Sequence, residues 1–397
     1  MLRRPSGTDT SSSANRSTVR IASSTPRSMS SAVVEAQFGV SIVIVVLLSE
    51  LRYPQLPLLR MIMRARSNAL PLRMQSQGRY MTDITHSQID LSTGINMHVA
   101  EAGEGPAVIF CHGFPELWYS WRHQLPVVAE AGFRAIAPDM RGYGGTDAPP
   151  NAEDYTQERI CADMVALLDG LEIESAVFVG HDWGGAVVWN MAQHHPTRCS
   201  AVAGINTPAG RRPPINPLDA MKMDPGRFDY QLYFQDEGVA EAELGGNVRR
   251  TMTLMLRASK PEDRMDVIGM TSGVRARGGL LVGLPDDAER SIMLTEEDLD
   301  TFVSAFEQTG FRGGLNWYRN HGRNWEWGAA VDGNDIDQPA LMVTAGKDGV
   351  LLPSMSEGME DWIPNLSRGH IENCGHWTQQ EEPEELNRIL VGWLKTL

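Results

Sequence analysis

Short apolar runs recur along the chain from about residue 81, each bounded by glycine, proline or polar clusters. Residues 106–111, 133–138, 175–179, 201–205 and 340–345 are rich in Val, Ile and Ala, and their apolar positions do not alternate with polar ones. Runs of that length and composition read as strands buried on both faces. Residues 89–99 alternate loosely, as the arms of a hairpin do. Residues 117–130, 157–168 and 186–192 read as helices between these strands. Strands alternating with helices predict an α/β fold: a mostly parallel sheet with helices on both faces, and an antiparallel edge where the hairpin sits.

The alternation stops between Pro208 and about Asp335 and resumes at Ala340. The intervening stretch reads as helices and turns. Thr295 and Asp298 have the spacing of a capping box, and Gly310 is a stop signal for the helix they begin. The predicted organisation is a core formed by residues 81–207 and 336–397, with an all-helical lid at 208–335. A lid in that position covers the carboxyl edge of the sheet, where ligands of open α/β folds bind.

Charge changes the picture at the N-terminus. Residues 1–80 hold eleven Arg, no Lys and three acids (Asp9, Glu35, Glu50), a net +8 in a chain of −15 overall. The remainder carries 24 basic and 47 acidic residues, so the body is acidic and excludes a general nucleic-acid surface. Residues 1–31 are too polar to form a core. The apolar run at 38–48 falls short of the ~20 residues of a membrane span, so no firm membrane partner is expected. We read residues 1–80 as a disordered or targeting extension, with Met74 or Met81 as an alternative working start. The expected location is cytoplasmic; organelle targeting or a weak membrane anchor through residues 1–50 is the alternative.

Cys111, Cys161, Cys199 and Cys374 are widely spaced, which fits reduced core thiols better than disulfides or a zinc site. His194 and His195 precede Pro196 and read as a solvated helix end.

The segment Val179-Gly-His-Asp182-Trp-Gly-Gly185 follows one of the strand-like runs and precedes a helix-like one. Its small residues flank position 182 as a nucleophile elbow requires, where a tight strand–helix turn lifts one side chain clear of the backbone. The lifted side chain here is a carboxylate. An aspartate is already an anion at neutral pH and can attack an alkyl carbon directly, forming an ester with its own carboxyl group. Two further segments follow in the order nucleophile, acid, histidine: Gly346-Lys-Asp348-Gly349 after one strand, and Asn373-Cys-Gly-His376-Trp377 near the C-terminus. His112-Gly-Phe-Pro-Glu116 follows the 106–111 strand, where a backbone N–H can join the amide after the nucleophile in an oxyanion hole.

These segments resemble the α/β-hydrolase-fold epoxide hydrolases of the soluble type. The likeness runs from about Met81 to Leu397 and includes residues 112–121, 141–147, 180–185, 229–235, 310–320 and 369–377. It implies the α/β-hydrolase fold and conversion of an apolar epoxide and water to a vicinal diol. Asp182 would be the nucleophile. Tyr230 and Tyr318 would donate to the epoxide oxygen, with Tyr233 the rival of Tyr230. His376, oriented by Asp348, would activate the water that hydrolyses the ester. The amides of Phe114 and Trp183 would form the oxyanion hole, and Glu116 is a candidate for placing the water or a plain turn residue. No metal or organic cofactor is required. Mammalian members carry an N-terminal phosphatase domain; residues 1–80 are too short and too polar for one.

Two alternatives remain at the level of sequence. A haloalkane or haloacid dehalogenase shares the elbow aspartate, but halide needs no proton and would leave the two tyrosines without a role. A non-catalytic receptor or scaffold would be expected to lose one of these residues. Trp317, Met221, Met252 and Met255 suggest an adaptable apolar pocket. The sequence is also compatible with a homodimer.

Overall fold

The computed structural model describes residues 83–261, 263 and 267–397. The expectations for residues 1–80, including the apolar run at 38–48, lie outside the described residues. Among the described residues no helix is long and apolar enough to cross a membrane.

Eight strands form one sheet: β1 (Thr85–Asp90), β2 (Asn96–Ala102), β3 (Ala107–Cys111), β4 (Arg134–Pro138), β5 (Ala176–His181), β6 (Cys199–Ile205), β7 (Ala340–Ala345) and β8 (Leu366–Ile371). Their order across the sheet is β1-β2-β4-β3-β5-β6-β7-β8. The β1–β2 hairpin is antiparallel and β2 pairs antiparallel with β4; from β4 through β3 to β8 every neighbouring pair is parallel. This is the mostly parallel sheet with an antiparallel edge that the sequence predicts.

Successive side chains of a strand point to opposite faces, and both faces here are covered. Ala107, Ile109 and Cys111 of β3 join one apolar cluster, which includes helices α1 (Gln157–Gly170) and α2 (Trp183–His194). Val108 and Phe110 join the other, beneath the C-terminal helix Pro383–Leu394. The same split recurs in β5 and β7, which is why these strands read as unbroken apolar runs. All four cysteines are free and buried.

Two local expectations need correction. Residues 117–130 are not one helix but a 3-10 turn, Trp118–Trp121, followed by a helix at Leu125–Glu130. Pro126 explains the break: it has no N–H for the preceding turn, but fits the first turn of a new helix. His194 does end α2, but it is half-buried rather than freely solvated. Its ring stacks on Trp327, centroids 3.5 Å apart.

Between β6 and β7 every regular element among the described residues is helical. The elements that matter for the site are α3 (Asp229–Tyr233), α4 (Val248–Met255), α5 (Glu296–Thr309) and α6 (Arg312–Tyr318). Helix α5 begins at the Thr295–Asp298 capping box, and Gly310 at φ 65° ends it.

Candidate active site

Asp182 stands between β5 and α2 with φ 51° and ψ −122°, a conformation that costs a non-glycine residue about 1–3 kcal/mol. The turn closes only because its neighbours lack side chains. A Cβ on Gly184 would lie 2.0 Å from the Cys111 carbonyl oxygen, and one on Gly113 would lie 2.3 Å from Asp182 Oδ1. The 112–116 loop can therefore approach Asp182 closely, and the Phe114 N–H donates to Asp182 Oδ1 at 2.9 Å. Trp183 occupies the first position of α2, where the backbone N–H has no partner within the helix.

His376 follows β8 on the loop after Ile371. Its Nδ1 faces Asp348 Oδ2 at 2.9 Å, and its Nε2 stands 3.9 Å from Asp182 Oδ2. The second distance is too long for a direct hydrogen bond, so Nε2 stays open to the cavity. Asp348 Oδ1 accepts from the N–H groups of Val350 and Leu351, and Oδ2 also accepts from the Asn206 amide at 2.7 Å. Burial opposes charge on both partners. The Asp348 carboxylate, followed by Asp182 and Glu116, nevertheless raises the His376 imidazole to about 9. Burial likewise works against ionised Asp348, but the facing imidazole and the Asn206 amide hold its carboxyl below the usual range.

Asp182 and His376 line a cavity of about 360 Å³. Across it stand Tyr230 on α3 and Tyr318 on α6, 9% and 3% exposed, with ring centroids 5.9 Å apart. Burial raises both phenols above their ordinary value. The Asp182 charge adds to this at Tyr230; at Tyr318 its neighbour Tyr230 adds first, then Asp182. Both therefore keep their protons. The Gln231 amide donates to the Tyr230 hydroxyl at 2.9 Å. Tyr233 points elsewhere: its hydroxyl donates to Glu243, and it does not line the cavity. Helical spacing left the two tyrosines level; their partners separate them.

Glu116 does not line the cavity. It is fully buried beneath the 112–116 loop, where it accepts from the Gly113 N–H and the Gln379 amide and faces His181 Nδ1 at 2.9 Å. Burial disfavours its charge, but His181 outweighs that and holds the carboxyl at about 2. His181 Nε2 donates in turn to the His376 carbonyl at 2.7 Å. Glu116 thus ties the 112–116 loop, through His181, to the loop that carries His376.

Of the four residues expected to line an apolar pocket, one does. Met255 faces the cavity, as does the unanticipated Met270, but Trp317, Met252 and Met221 do not. Trp317 and Met252 are fully buried in the core, and the Trp317 indole donates to the Arg141 carbonyl.

Asn206 went unnoticed in the sequence. At φ 62° just past β6, it directs one amide at Asp348 and at the Gly375 and His376 carbonyls. The signal was there: a polar residue between strand 201–205 and Pro208 stands at the carboxyl end of the sheet.

The family model described as alpha/beta hydrolase fold matches residues 106–383, a span that contains all of these side chains. Bifunctional epoxide hydrolase 2 of Sus scrofa is 52% identical over 314 residues, covering 79% of this chain and 56% of the relative. The chain therefore spans about half the length of the mammalian relatives it matches. Epoxide hydrolase A of Mycobacterium tuberculosis is 42% identical over 310 residues, covering 77% of this chain and 96% of the relative. The crystal structure of epoxide hydrolase A from Mycobacterium thermoresistibile superposes with a TM-score of 0.71 at 39% identity, covering 79% of this chain and 98% of that one. With the fold model matched over most of its length and a relative covered almost end to end at 42% identity, the chain belongs to the epoxide hydrolases of the α/β-hydrolase fold.

Proposed function

We propose that the chain converts epoxides to vicinal diols through an ester on Asp182. One observation carries this reading: a carboxylate held at a strained elbow faces two buried, protonated tyrosine hydroxyls across a mostly apolar cavity. A dehalogenase would have no use for those protons.

In the first step Asp182 Oδ2 attacks an epoxide carbon. The carbon–oxygen bond of the ring breaks, and the oxygen takes a proton from Tyr230 or Tyr318. In the second step His376 Nε2 removes a proton from water, and the hydroxide attacks the Asp182 carboxyl carbon. The amides of Phe114 and Trp183 hold the oxygen that becomes negative. Collapse breaks the bond from the acyl carbon to the substrate oxygen, which takes the proton held by His376. The second water proton returns to the tyrosine phenolate, and the diol leaves with one original Asp182 oxygen while a water oxygen stays on the Asp182 carboxylate. Asp348 and Asn206 hold the imidazole and its cation in place.

Alkylation also switches the base on. The Asp182 charge helps raise His376 to about 9 in the resting protein. Ester formation removes that charge, so the imidazole becomes easier to deprotonate just when a base is required.

In this reading residues 208–335 act as the lid that supplies the proton donors and excludes bulk water. Four buried free thiols fit a reducing compartment, which supports a cytoplasmic location.

The test is a single turnover of an aryl-substituted epoxide in ¹⁸O-water, with mass spectrometry of the Asp182 peptide and of the diol. Label on Asp182 with unlabelled first-turnover diol is the expected result. Labelled diol with unlabelled Asp182 means direct attack by water and refutes the ester.

A further inference from the structure

Three contacts stitch the helical insertion to the loop that carries His376. The Trp377 indole donates to the Met255 carbonyl at 2.9 Å, at the end of α4. Lys260 pairs with Glu382. Between them lies Glu381, whose two oxygens face different parts of the fold. Oε1 accepts from the Ser259 N–H at 3.0 Å and the Ser259 hydroxyl at 2.6 Å, both in the insertion. Oε2 accepts at 2.9 Å from the N–H of Gly375, the residue before His376. The two segments touch at this point: a Cβ on Gly375 would lie 2.8 Å from Ser259 Cβ. Met255, Ala258, Ser259, Gly375, His376 and Trp377 together form one wall of the cavity.

We propose that Glu381 is a positioning residue that fixes the histidine loop against the substrate-facing wall of the insertion and so places the base. The inference rests on the two-step reading above. Glu381 touches neither nucleophile nor cavity; it acts on His376 through the Gly375 N–H. A carboxylate side chain suits this place. Three donors approach its two oxygens, whereas an amide would turn its own N–H groups against one of the two segments. The step that depends on His376 is hydrolysis of the ester, so a misplaced loop slows that step and spares alkylation.

The experiment follows Glu381→Ala, Glu381→Gln and Ser259→Ala in the full chain by rapid quench and steady-state kinetics. Glu381→Ala should lower kcat about tenfold, the loss expected of one charge-assisted hydrogen bond. KM should fall in the same proportion and the Asp182 ester should accumulate, because slowing the second of two steps lowers both constants and leaves kcat/KM unchanged. Glu381→Gln should show the same pattern. Ser259→Ala, cut only on the insertion side, should show it more weakly. A lower kcat at unchanged KM with no extra ester indicates fewer folded active sites and overturns the proposal, as do wild-type constants in folded Glu381→Ala. Wild-type behaviour of Ser259→Ala beside a defective Glu381→Ala overturns the link to the insertion. If the wild-type protein itself forms no ester, it is the two-step reading that fails.

Discussion

Replacing Asp348 by Asn should separate the two half-reactions. The imidazole of His376 rises from 6.5 to about 9, and after the opposing effect of burial Asp348 is the largest cause. A rise of that size corresponds to about 3 kcal/mol in favour of the imidazolium. Imidazolium forms as water is deprotonated, so loss of most of that support should slow ester hydrolysis ~10²-fold. Hydrogen bonding adds to the penalty. Asp348 accepts from His376, Asn206, Val350 and Leu351. An asparagine has one acceptor oxygen, so its amide N–H groups must face either the two backbone donors or His376 and Asn206. The combined expectation is hydrolysis slower by roughly 10²–10³-fold, with alkylation nearly unchanged because Asp348 does not touch Asp182. Rapid quench followed by mass spectrometry of the Asp182 peptide would read this directly as a burst of ester that decays slowly. A fall in kcat without accumulated ester would refute the reasoning, because it would put Asp348 in the first step.

Tyr230→Phe and Tyr318→Phe should do the opposite. Each should slow alkylation about 10²-fold in single-turnover rates, while decay of preformed ester stays at its wild-type rate. Stability should fall as pH rises from about 6.5 through 9. His376 binds its proton more tightly folded than unfolded, so its contribution is complete below the unfolded value and is lost above the folded one. Denaturant midpoints across that range should show the decline, and Asp348→Asn should flatten it. Arg141 and Asp163 form a buried bidentate pair at 2.7 Å, 4% and 0% exposed at the side chains. Arg141→Met strands the carboxylate and should cost about 3–5 kcal/mol in urea unfolding, without changing kcat of the folded fraction.

How much of this was legible in sequence depended on what each residue buries. Strands β3, β5 and β7 are covered on both faces, and their unbroken apolar runs announced them. Strand β1 (Thr-His-Ser-Gln-Ile-Asp) and the exposed part of β8 lie at the two edges of the sheet and carry almost no apolar signal. Their pairing is backbone hydrogen bonding, which composition does not record. Asp182 was legible because the elbow constrains its neighbours sterically, and those constraints are glycines at fixed offsets. Tyr230 and Tyr233 could not be told apart, because three residues on a helix share nearly one face. The difference lies in Glu243, ten residues beyond Tyr233. Asn206, Glu116 and Glu381 act by bonding loops that are far apart in the chain; a place at the carboxyl end of the sheet marks Asn206 and Glu116 as candidates, but no local pattern names their partners.

Those loop-binding residues share one arrangement. Glu116 joins the oxyanion loop, through His181, to the His376 carbonyl; Asn206 joins β6 to Asp348 and that same carbonyl; Glu381 joins the insertion to the Gly375 N–H. The backbone around His376 is thus held from three sides, while its imidazole makes one side-chain bond, to Asp348. That division suits a base that changes charge during the cycle. The imidazole exchanges a proton in the second step, so the groups that hold it in place must keep their bonds in both protonation states. Bonds to backbone carbonyl and amide groups do so, because neither group titrates. Among the hydrogen bonds that hold the residue, the Asp348 contact varies in strength with the charge on the ring, and it strengthens as the imidazolium forms. Variants at Asn206 and Glu381 should therefore displace the histidine with little effect on its intrinsic basicity, whereas Glu116, whose charge helps raise the imidazole, should affect both. Variants at Asp348 should change its basicity as well. The pH profile of ester decay distinguishes the two: a lower plateau at unchanged midpoint for variants at Asn206 and Glu381, and a midpoint moved toward acid for Asp348→Asn.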